Sequence, residues 1–205
     1  HIEAHSFPTR RSSDLTALMA DANPYVASRA VWLLAQLGDK GAALARKELA
    51  SADDTRRLVA FRALRAAGRD VFGLCEGMAK DKSPAVRREV ALALREFKTP
   101  AAVALLVTIA QQFDGQDRSY LEAIGLASTD REALVHAAIA KSMAKPALES
   151  TPAYAWLTWR LHPASAVRDV RARLLSGKLD ETELKRDLTT LAFTRSAEAA
   201  GTMVE

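Results

Sequence analysis

The stretch Asp81-Lys-Ser-Pro-Ala-Val-Arg-Arg-Glu-Val-Ala-Leu-Ala-Leu94 decides the fold of this chain. Val86, Val90 and Leu94 recur at four-residue steps, the spacing that places side chains on one face of an α-helix. Ser83 provides a cap residue, and the proline that follows it suits the first position of a helix. The stretch therefore predicts an amphipathic helix that begins just after Ser83.

The same pattern recurs every thirty residues, which is the signature of an internal repeat. Four positions of a first helix repeat at this spacing: Val26, Arg56, Val86 and Gln116; Ala30, Ala60, Val90 and Tyr120; Leu34, Leu64, Leu94 and Ile124; and Leu37, Ala67, Phe97 and Ala127. Two positions of a second helix repeat likewise: Leu44, Leu74, Ala104 and Leu134; and Leu49, Ala79, Ile109 and Ile139. Each unit is therefore predicted to be a pair of amphipathic helices, and neighbouring pairs must stack to bury their apolar faces.

Cap and turn residues agree with this division. Asn23-Pro24 is a further pair of a cap residue and a proline, sixty residues before Ser83-Pro84. Gly38 and Gly68 lie where first helices end, at points that need a left-handed residue.

These features resemble HEAT repeats, in which an Asp-x-x-Pro-x-Val-Arg entry precedes an apolar helix. The repeat predicts an all-α fold, and the resemblance implies a right-handed α-solenoid of about five HEAT-like helical hairpins plus a C-terminal helix. We expect the hairpins over residues 16–175, with the fifth formed by 152–161 and 163–175. A terminal helix is expected over residues 178–195, and a frayed or truncated tail over 196–205.

The first fifteen residues have a different origin in our interpretation. The segment Ser6-Phe-Pro-Thr-Arg-Arg-Ser-Ser-Asp-Leu15 resembles the translation of a widely used sequencing adapter at all ten positions. We therefore predict that residues 1–15 are non-native, and we exclude them from functional reasoning. His1 and His5 are accordingly not interpreted as metal ligands.

The composition limits the classes of protein that the chain can belong to. Of its 205 residues 49% are hydrophobic and only 6% aromatic, and its formal net charge is +4. Arg or Lys interrupts the apolar runs, so we expect no membrane insertion. Cys75 is the single cysteine, which leaves no disulfide framework. Its surroundings, Gly73-Leu-Cys-Glu-Gly77, have the glycine spacing of a nucleophile elbow, but the repeat places Cys75 inside a helix as an inert packing thiol.

No constellation of residues with catalytic or metal-binding spacing is present. His136 and His162 lie in separate hairpins and lack partners one helical turn away. Asp114 and Asp117 lack the ligand pattern of a calcium loop and are interpreted as helix caps. We therefore predict no catalytic, cofactor-binding or metal-binding residues, and a segment that is not an enzyme.

Two groups of side chains are candidates for an interaction surface. Arg57, Arg62 and Arg65 belong to an arginine-rich unit, which is either a stripe that follows phosphates or a solvated helix face. Acidic residues are interleaved with the arginines, which favours the solvated face. Trp156 and Trp159 lie one turn apart on one predicted helix, either as core of the fifth hairpin or as a ligand platform.

Two further segments narrow the family. Tyr25-Val-Ala-Ser-Arg-Ala-Val-Trp-Leu-Leu-Ala-Gln-Leu-Gly-Asp39 and Phe113-Asp-Gly-Gln-Asp-Arg-Ser-Tyr-Leu-Glu-Ala-Ile-Gly-Leu-Ala127 resemble the HEAT region of planctomycete-type haem-binding proteins, often labelled membrane-bound dehydrogenase domain proteins. In that family a β-propeller precedes the helical repeats, and a c-type cytochrome with Cys-x-x-Cys-His ends the chain. This sequence contains neither module, so no haem ligand is carried over to it.

The resemblance implies a non-catalytic interaction or spacer segment of a larger haem-binding, dehydrogenase-like protein. Its partners would be another protein or the flanking domains, haem c would be bound only outside this segment, and the location would be periplasmic or extracellular. The alternative is a nucleic-acid-binding HEAT-like protein of the DNA glycosylase type. A free-standing assembly or chromophore-attachment scaffold is a third interpretation.

Overall fold

The computed structural model describes residues 12–204, and every regular element in that range is helical. The absence of strands from these residues confirms the predicted all-α fold. Within the same range, no helix combines the length and the apolar character needed to cross a bilayer. The chain divides into two compact units, and the division falls between Leu74 and Cys75, inside one helix.

The first unit is built around one central helix. Its helices are α1 (Ser12–Leu18), α2 (Pro24–Gln36), α3 (Gly38–Lys47), α4 (Asp54–Ala66) and the first half of α5 (Val71–Met78). Helix α2 contacts α1, α3 and α4, and α3 also contacts α4. Gly38 has a φ of 64°, a left-handed conformation that lets α3 follow α2 without an intervening loop.

The second unit stacks helical pairs in two layers. Its helices after α5 are α6 (Pro84–Leu94), α7 (Pro100–Ala110), α8 (Arg118–Ala127), α9 (Glu132–Met143), α10 (Pro152–Leu161), α11 (Val167–Leu175), α12 (Glu181–Phe193) and α13 (Ala197–Thr202). In one layer α6 contacts α8, α8 contacts α10, and α10 contacts α12. In the other layer α7 contacts α9, and α11 contacts α13. Each pair thus covers the apolar face of its neighbour, as the repeat predicts.

The two inner positions of the first-helix repeat form the core. All eight residues at the positions that begin with Ala30 and Leu34 are buried, which confirms this part of the prediction. The predictions for the two outer positions, which begin with Val26 and Leu37, are only partly correct, because Arg56 and Gln116 are exposed. Arg56 instead forms an ion pair with Glu48 at 2.6 Å. Gln116 precedes the helix to which the repeat assigns it.

The two predicted positions of the second-helix repeat differ in outcome. Ala79, Ile109 and Ile139 are buried, which confirms three of the four residues at the position that begins with Leu49. The position that begins with Leu44 is only partly correct. Ala104 and Leu134 are exposed, whereas Ala45 and Cys75, one position later in their units, are fully buried. The cause is the variable length of the turn inside each pair. The second helices begin at unequal spacings: Gly38, Val71, Pro100 and Glu132. A strict period of thirty is therefore wrong for the position that begins with Leu44.

The loop that enters a first helix is built in the same way in three consecutive repeats. A side-chain oxygen accepts the backbone N–H two residues later, at 2.8, 3.2 and 2.7 Å in the pairs Asp21 and Asn23, Ser51 and Asp53, and Asp81 and Ser83. Turns of this kind are typical of Asp and Ser, whose short side chains reach their own backbone.

Two arginines, which we call the loop arginines, form hydrogen bonds with the second and third of these loops. Arg57 Nη1 donates hydrogen bonds to the carbonyl oxygens of Ser51 and Ala52 at 2.8 and 3.1 Å. Arg87 Nη1 donates to the carbonyls of the equivalent residues, thirty positions later, at 2.7 and 3.1 Å. Both arginines are buried. Backbone carbonyls that face the protein need a hydrogen-bond donor. Each arginine donates to two such carbonyls in the loop that precedes its own helix.

The segment predicted to be a frayed or truncated tail contains the short helix α13. Ser196 caps this helix by accepting the Ala199 N–H at 3.1 Å. Ala199 is fully buried, and α13 contacts both α11 and α12. The predicted terminal helix therefore packs against a further short helix.

The predicted non-native segment lies mostly outside the described residues. Its last four residues, 12–15, form the start of α1, and the Leu15 side chain is buried. The non-native origin of residues 1–15 stays a prediction.

Candidate interaction surface

The three arginines proposed as an interaction surface differ in their burial on α4. Arg57 is only 4% exposed and serves as a loop arginine, so its assignment to a surface is wrong. Its guanidinium turns inward because two backbone carbonyls there need a donor. Arg62 is exposed and Arg65 is half-buried. The α4 surface thus keeps two of the three predicted arginines.

Trp156 and Trp159 lie on α10, in the second compact unit, and both are half-buried. Thr151 caps this helix by accepting the Tyr154 N–H at 3.3 Å. His162 ends the helix in a left-handed conformation with a φ of 45°. The two indole rings meet edge to face, with centroids 5.4 Å apart. Each residue is therefore partly packed and partly open to solvent. The role of the two rings as a ligand platform stays a prediction.

One arginine lies over the Trp159 ring, and a glutamate connects this arginine to a second one. The Arg118 guanidinium lies 4.5 Å from the Trp159 ring centroid, within the range of a cation–π contact. Glu122, one turn further along α8, pairs with Arg118 at 2.6 Å and with Arg160 at 2.6 Å. We call Arg118, Glu122, Trp156, Trp159 and Arg160 the tryptophan–arginine surface.

The charges on this surface are unequal in number. Burial opposes ionisation of Glu122, but the hydrogen bonds and charges of Arg160 and Arg118 outweigh it, so the pKa of Glu122 lies below its usual value. Two guanidinium groups therefore share one carboxylate, which leaves an excess of positive charge. The Arg118 side chain is 61% exposed, so this charge is accessible to a ligand in solvent.

Gly125 provides the space that Arg160 occupies. A Cβ atom at Gly125 would overlap the Arg160 guanidinium, so a larger residue would displace that side chain. Arg160 can therefore lie across α8 and reach Glu122 only because position 125 has no side chain.

A buried ionic network lies next to the surface. The Arg186 guanidinium is 5.5 Å from the Trp156 ring centroid. Its Nε pairs with Asp187 Oδ1 at 3.2 Å, while the other carboxylate oxygen pairs with Arg173 Nε at 2.7 Å. Arg173 Nη2 also pairs with Glu183 at 3.0 Å. The network joins α11 to α12 and fixes the arginine that supports Trp156.

The two histidines are both packed among other side chains. His136 Nε2 lies 3.0 Å from Thr158 Oγ1, and burial lowers the pKa of His136 to about 4. His162 lies between Trp159 and Phe193, with ring centroids 6.0 and 5.4 Å away, and burial lowers its pKa too. Among the described residues there is no group of three or more His, Cys, Asp or Glu side chains that could hold a metal ion.

The burial of His136 predicts a loss of stability in mild acid. Its pKa is about 4 in the folded protein and about 6.5 in the unfolded chain, so the unfolded chain binds more protons between these values. The His136 contribution is therefore complete above pH 6.5 and is lost as the pH falls toward 4. We expect it to amount to about 2 kcal/mol between pH 7 and pH 4.5.

Urea titrations of the wild type and of His136→Gln at pH 7 and pH 4.5 measure this contribution to the free energy of unfolding. The wild type should lose about 2 kcal/mol more than the variant, because other groups titrate in both proteins. Equal losses would show that His136 is not held neutral by the fold.

The remaining candidate residues, two aspartates and the cysteine, have structural roles. Asp117 caps α8 by accepting the Tyr120 N–H at 3.0 Å, and Asp114 accepts the N–H groups of Gln116 and Asp117 at 2.8 and 3.0 Å. The interpretation as a helix cap is confirmed for Asp117, whereas Asp114 lies in the turn that precedes α8. Cys75 lies inside α5 and is fully buried, so it is not on the exposed turn that a nucleophile elbow requires.

Comparison with known families identifies the central part of the chain. Residues 43–127 match the family model of HEAT repeats. This part of the chain is similar to HEAT repeats. It begins within α3, ends with α8, and contains both loop arginines as well as Arg118, Glu122 and Gly125. With the all-helical structure, the match confirms the predicted α-solenoid class, a helical repeat of the protein-interaction or scaffold type. No curated protein matches the chain.

Proposed function

We propose that this chain is a non-catalytic protein-interaction segment and that a partner docks on the tryptophan–arginine surface. The observation that carries the proposal is the exposed Arg118 guanidinium held over Trp159 by stacking and by Glu122. A free arginine loses much conformational freedom when it binds, but this one is already positioned, so that cost is smaller. Trp and Arg are also the residue types most enriched at binding hot spots.

We also propose, more specifically, that the segment is a spacer or docking platform in a larger haem-binding, dehydrogenase-like protein outside the cytoplasm. Its support is the resemblance of residues 113–127, which supply Arg118, Glu122 and Gly125 of the surface region. In that setting the partner is a flanking domain or another protein, and haem c is bound outside this segment.

The structure lends less support to the nucleic-acid alternative. That alternative depends on arginines that face solvent, and Arg57 and Arg87 are instead buried against backbone carbonyls. We expect duplex DNA to bind weakly, with a dissociation constant above roughly 10⁻⁴ M at physiological salt. Micromolar binding with a steep salt dependence would favour the alternative.

Panning a random peptide library on phage against the full chain tests the docking proposal. We expect enriched peptides whose affinity falls about tenfold or more in Arg118→Gln, because a central arginine contact is lost. Arg168→Gln is the matched control, since Arg168 is an exposed arginine on α11 of the same unit. Peptides that bind both variants equally, or the failure to enrich any peptide, would contradict the proposal.

A further inference from the structure

We propose that the segment that docks on the tryptophan–arginine surface is an acidic peptide segment of the partner, and that one of its Asp or Glu carboxylates binds Arg118 beside Glu122. This assignment rests on the proposed function and adds the chemistry of the partner. Docking on Arg118 does not by itself require an acidic group, so the two proposals can fail separately.

The tryptophan–arginine surface lies on helices that have neighbours on both sides. Helix α8 contacts α6 and α10, and α10 contacts α8 and α12. The exposure of Arg118 and Trp159 therefore does not result from where the described chain begins or ends.

The Arg118 guanidinium keeps donors that its neighbours do not use. It lies over the Trp159 ring, and its Nη2 pairs with Glu122 Oε1 at 2.6 Å. A guanidinium carries several N–H donors in one plane, so this pair uses only part of them. Carboxylates bind such a group through parallel hydrogen bonds. The exposed Arg118 can therefore accept a second carboxylate without leaving Trp159.

The local charge favours an acidic partner. Glu122 is shared between Arg118 and Arg160, so the two guanidinium groups carry one positive charge more than this carboxylate neutralises. The buried ionic network beside Trp156 contains two arginines and two carboxylates and adds no further excess. Opposite charges across an interface speed the encounter and disfavour wrong partners.

A single nucleic-acid strand fits the surface less well. Such strands bind along a row of basic groups while their bases stack on aromatic rings. This surface has an excess of one positive charge, and Arg118 already covers a face of Trp159. A base would have to displace Arg118 to stack there, whereas a carboxylate binds the arginine where it lies.

Glu122 has two opposite effects on an incoming carboxylate. It holds Arg118 and Arg160 in place, but its own negative charge repels a second carboxylate nearby. Glutamine has nearly the same shape and keeps an oxygen acceptor, but it carries no charge. Glu122→Gln should therefore tighten the binding of an acidic segment and give no such gain for a neutral one.

The peptides enriched by panning against the full chain provide the probe. Each peptide is compared with a version in which Asn replaces Asp and Gln replaces Glu, by isothermal titration calorimetry. We expect the amide version to bind about tenfold or more weakly, and Glu122→Gln to tighten only the acidic version, by about threefold or more. Glu76→Gln is the matched control, because Glu76 is an exposed glutamate on α5, and it should change neither affinity.

The outcomes separate the two proposals. Peptides that depend on Arg118 but bind equally well in their acidic and amide versions would overturn the acidic partner and leave the docking proposal standing. An oligothymidine strand that binds through Arg118 more tightly than the acidic peptides would also overturn the acidic partner. Failure to enrich any peptide, or peptides that do not depend on Arg118, would overturn both proposals.

Discussion

Replacing Asp187 with alanine is expected to lower the free energy of unfolding by about 3–5 kcal/mol. The Asp187 carboxylate pairs with Arg173 at 2.7 Å and with Arg186 at 3.2 Å, and all three side chains are buried. Its removal leaves two buried guanidinium groups with Glu183 as the remaining carboxylate in the network. Breaking such a pair costs far more than the pair contributes, because an uncompensated charge stays buried.

Urea unfolding followed by far-UV circular dichroism measures the effect. Asp169→Ala is the control, because Asp169 is an exposed aspartate on α11, and it should change the stability by less than about 0.5 kcal/mol. If Asp187→Ala lost no more than this control, the carboxylate would not be compensating the two arginines.

The second large effect is expected in the core of the first-helix layer. Leu94 and Ile124 are fully buried at equivalent positions of α6 and α8, which contact each other. Truncation of either residue to alanine should cost about 2–5 kcal/mol, because the cavity that is left closes only in part. Thermal and urea unfolding of the two single variants measure the loss.

The matched control comes from the second-helix layer. The strict thirty-residue period assigns Leu134 to the core, but its side chain is 60% exposed. Leu134→Ala should therefore cost less than about 0.5 kcal/mol. A large loss at Leu134 together with small losses at Leu94 and Ile124 would reverse the assignment of the core.

The first-helix core could be predicted from sequence because packing imposes a strict requirement there. Every residue equivalent to Leu34 is Leu or Ile and is fully buried. Within each compact unit the first helices pack against each other, α2 against α4 and α6 against α8. The second helices could be placed only in part: Ile109 and Ile139 are buried as the period predicts, but Leu134 is exposed. Their starting points depend on turns of different length inside each pair, and a fixed period cannot represent this variation.

The candidate surface was predictable only in part. The sequence predicts that Trp156 and Trp159 lie one turn apart on one helix, but Arg118 and Glu122 of the same surface lie on another helix, about forty residues earlier. Hydrophobic spacing gives no signal for a contact of that kind. A signal did exist for Arg57, since Arg87 lies thirty residues later at the equivalent position of a first helix. That recurrence indicates a structural role rather than an exposed charge.

The loop arginines have a consequence for how such a chain can lengthen. Arg57 and the carbonyls of Ser51 and Ala52 lie within seven consecutive residues. The donor and the acceptors of these hydrogen bonds are therefore encoded next to each other. An in-frame duplication of residues 51–80 would copy donor and acceptors together. A gene that grows by such duplications gains modules whose entry loops are already satisfied, without compensating mutations elsewhere.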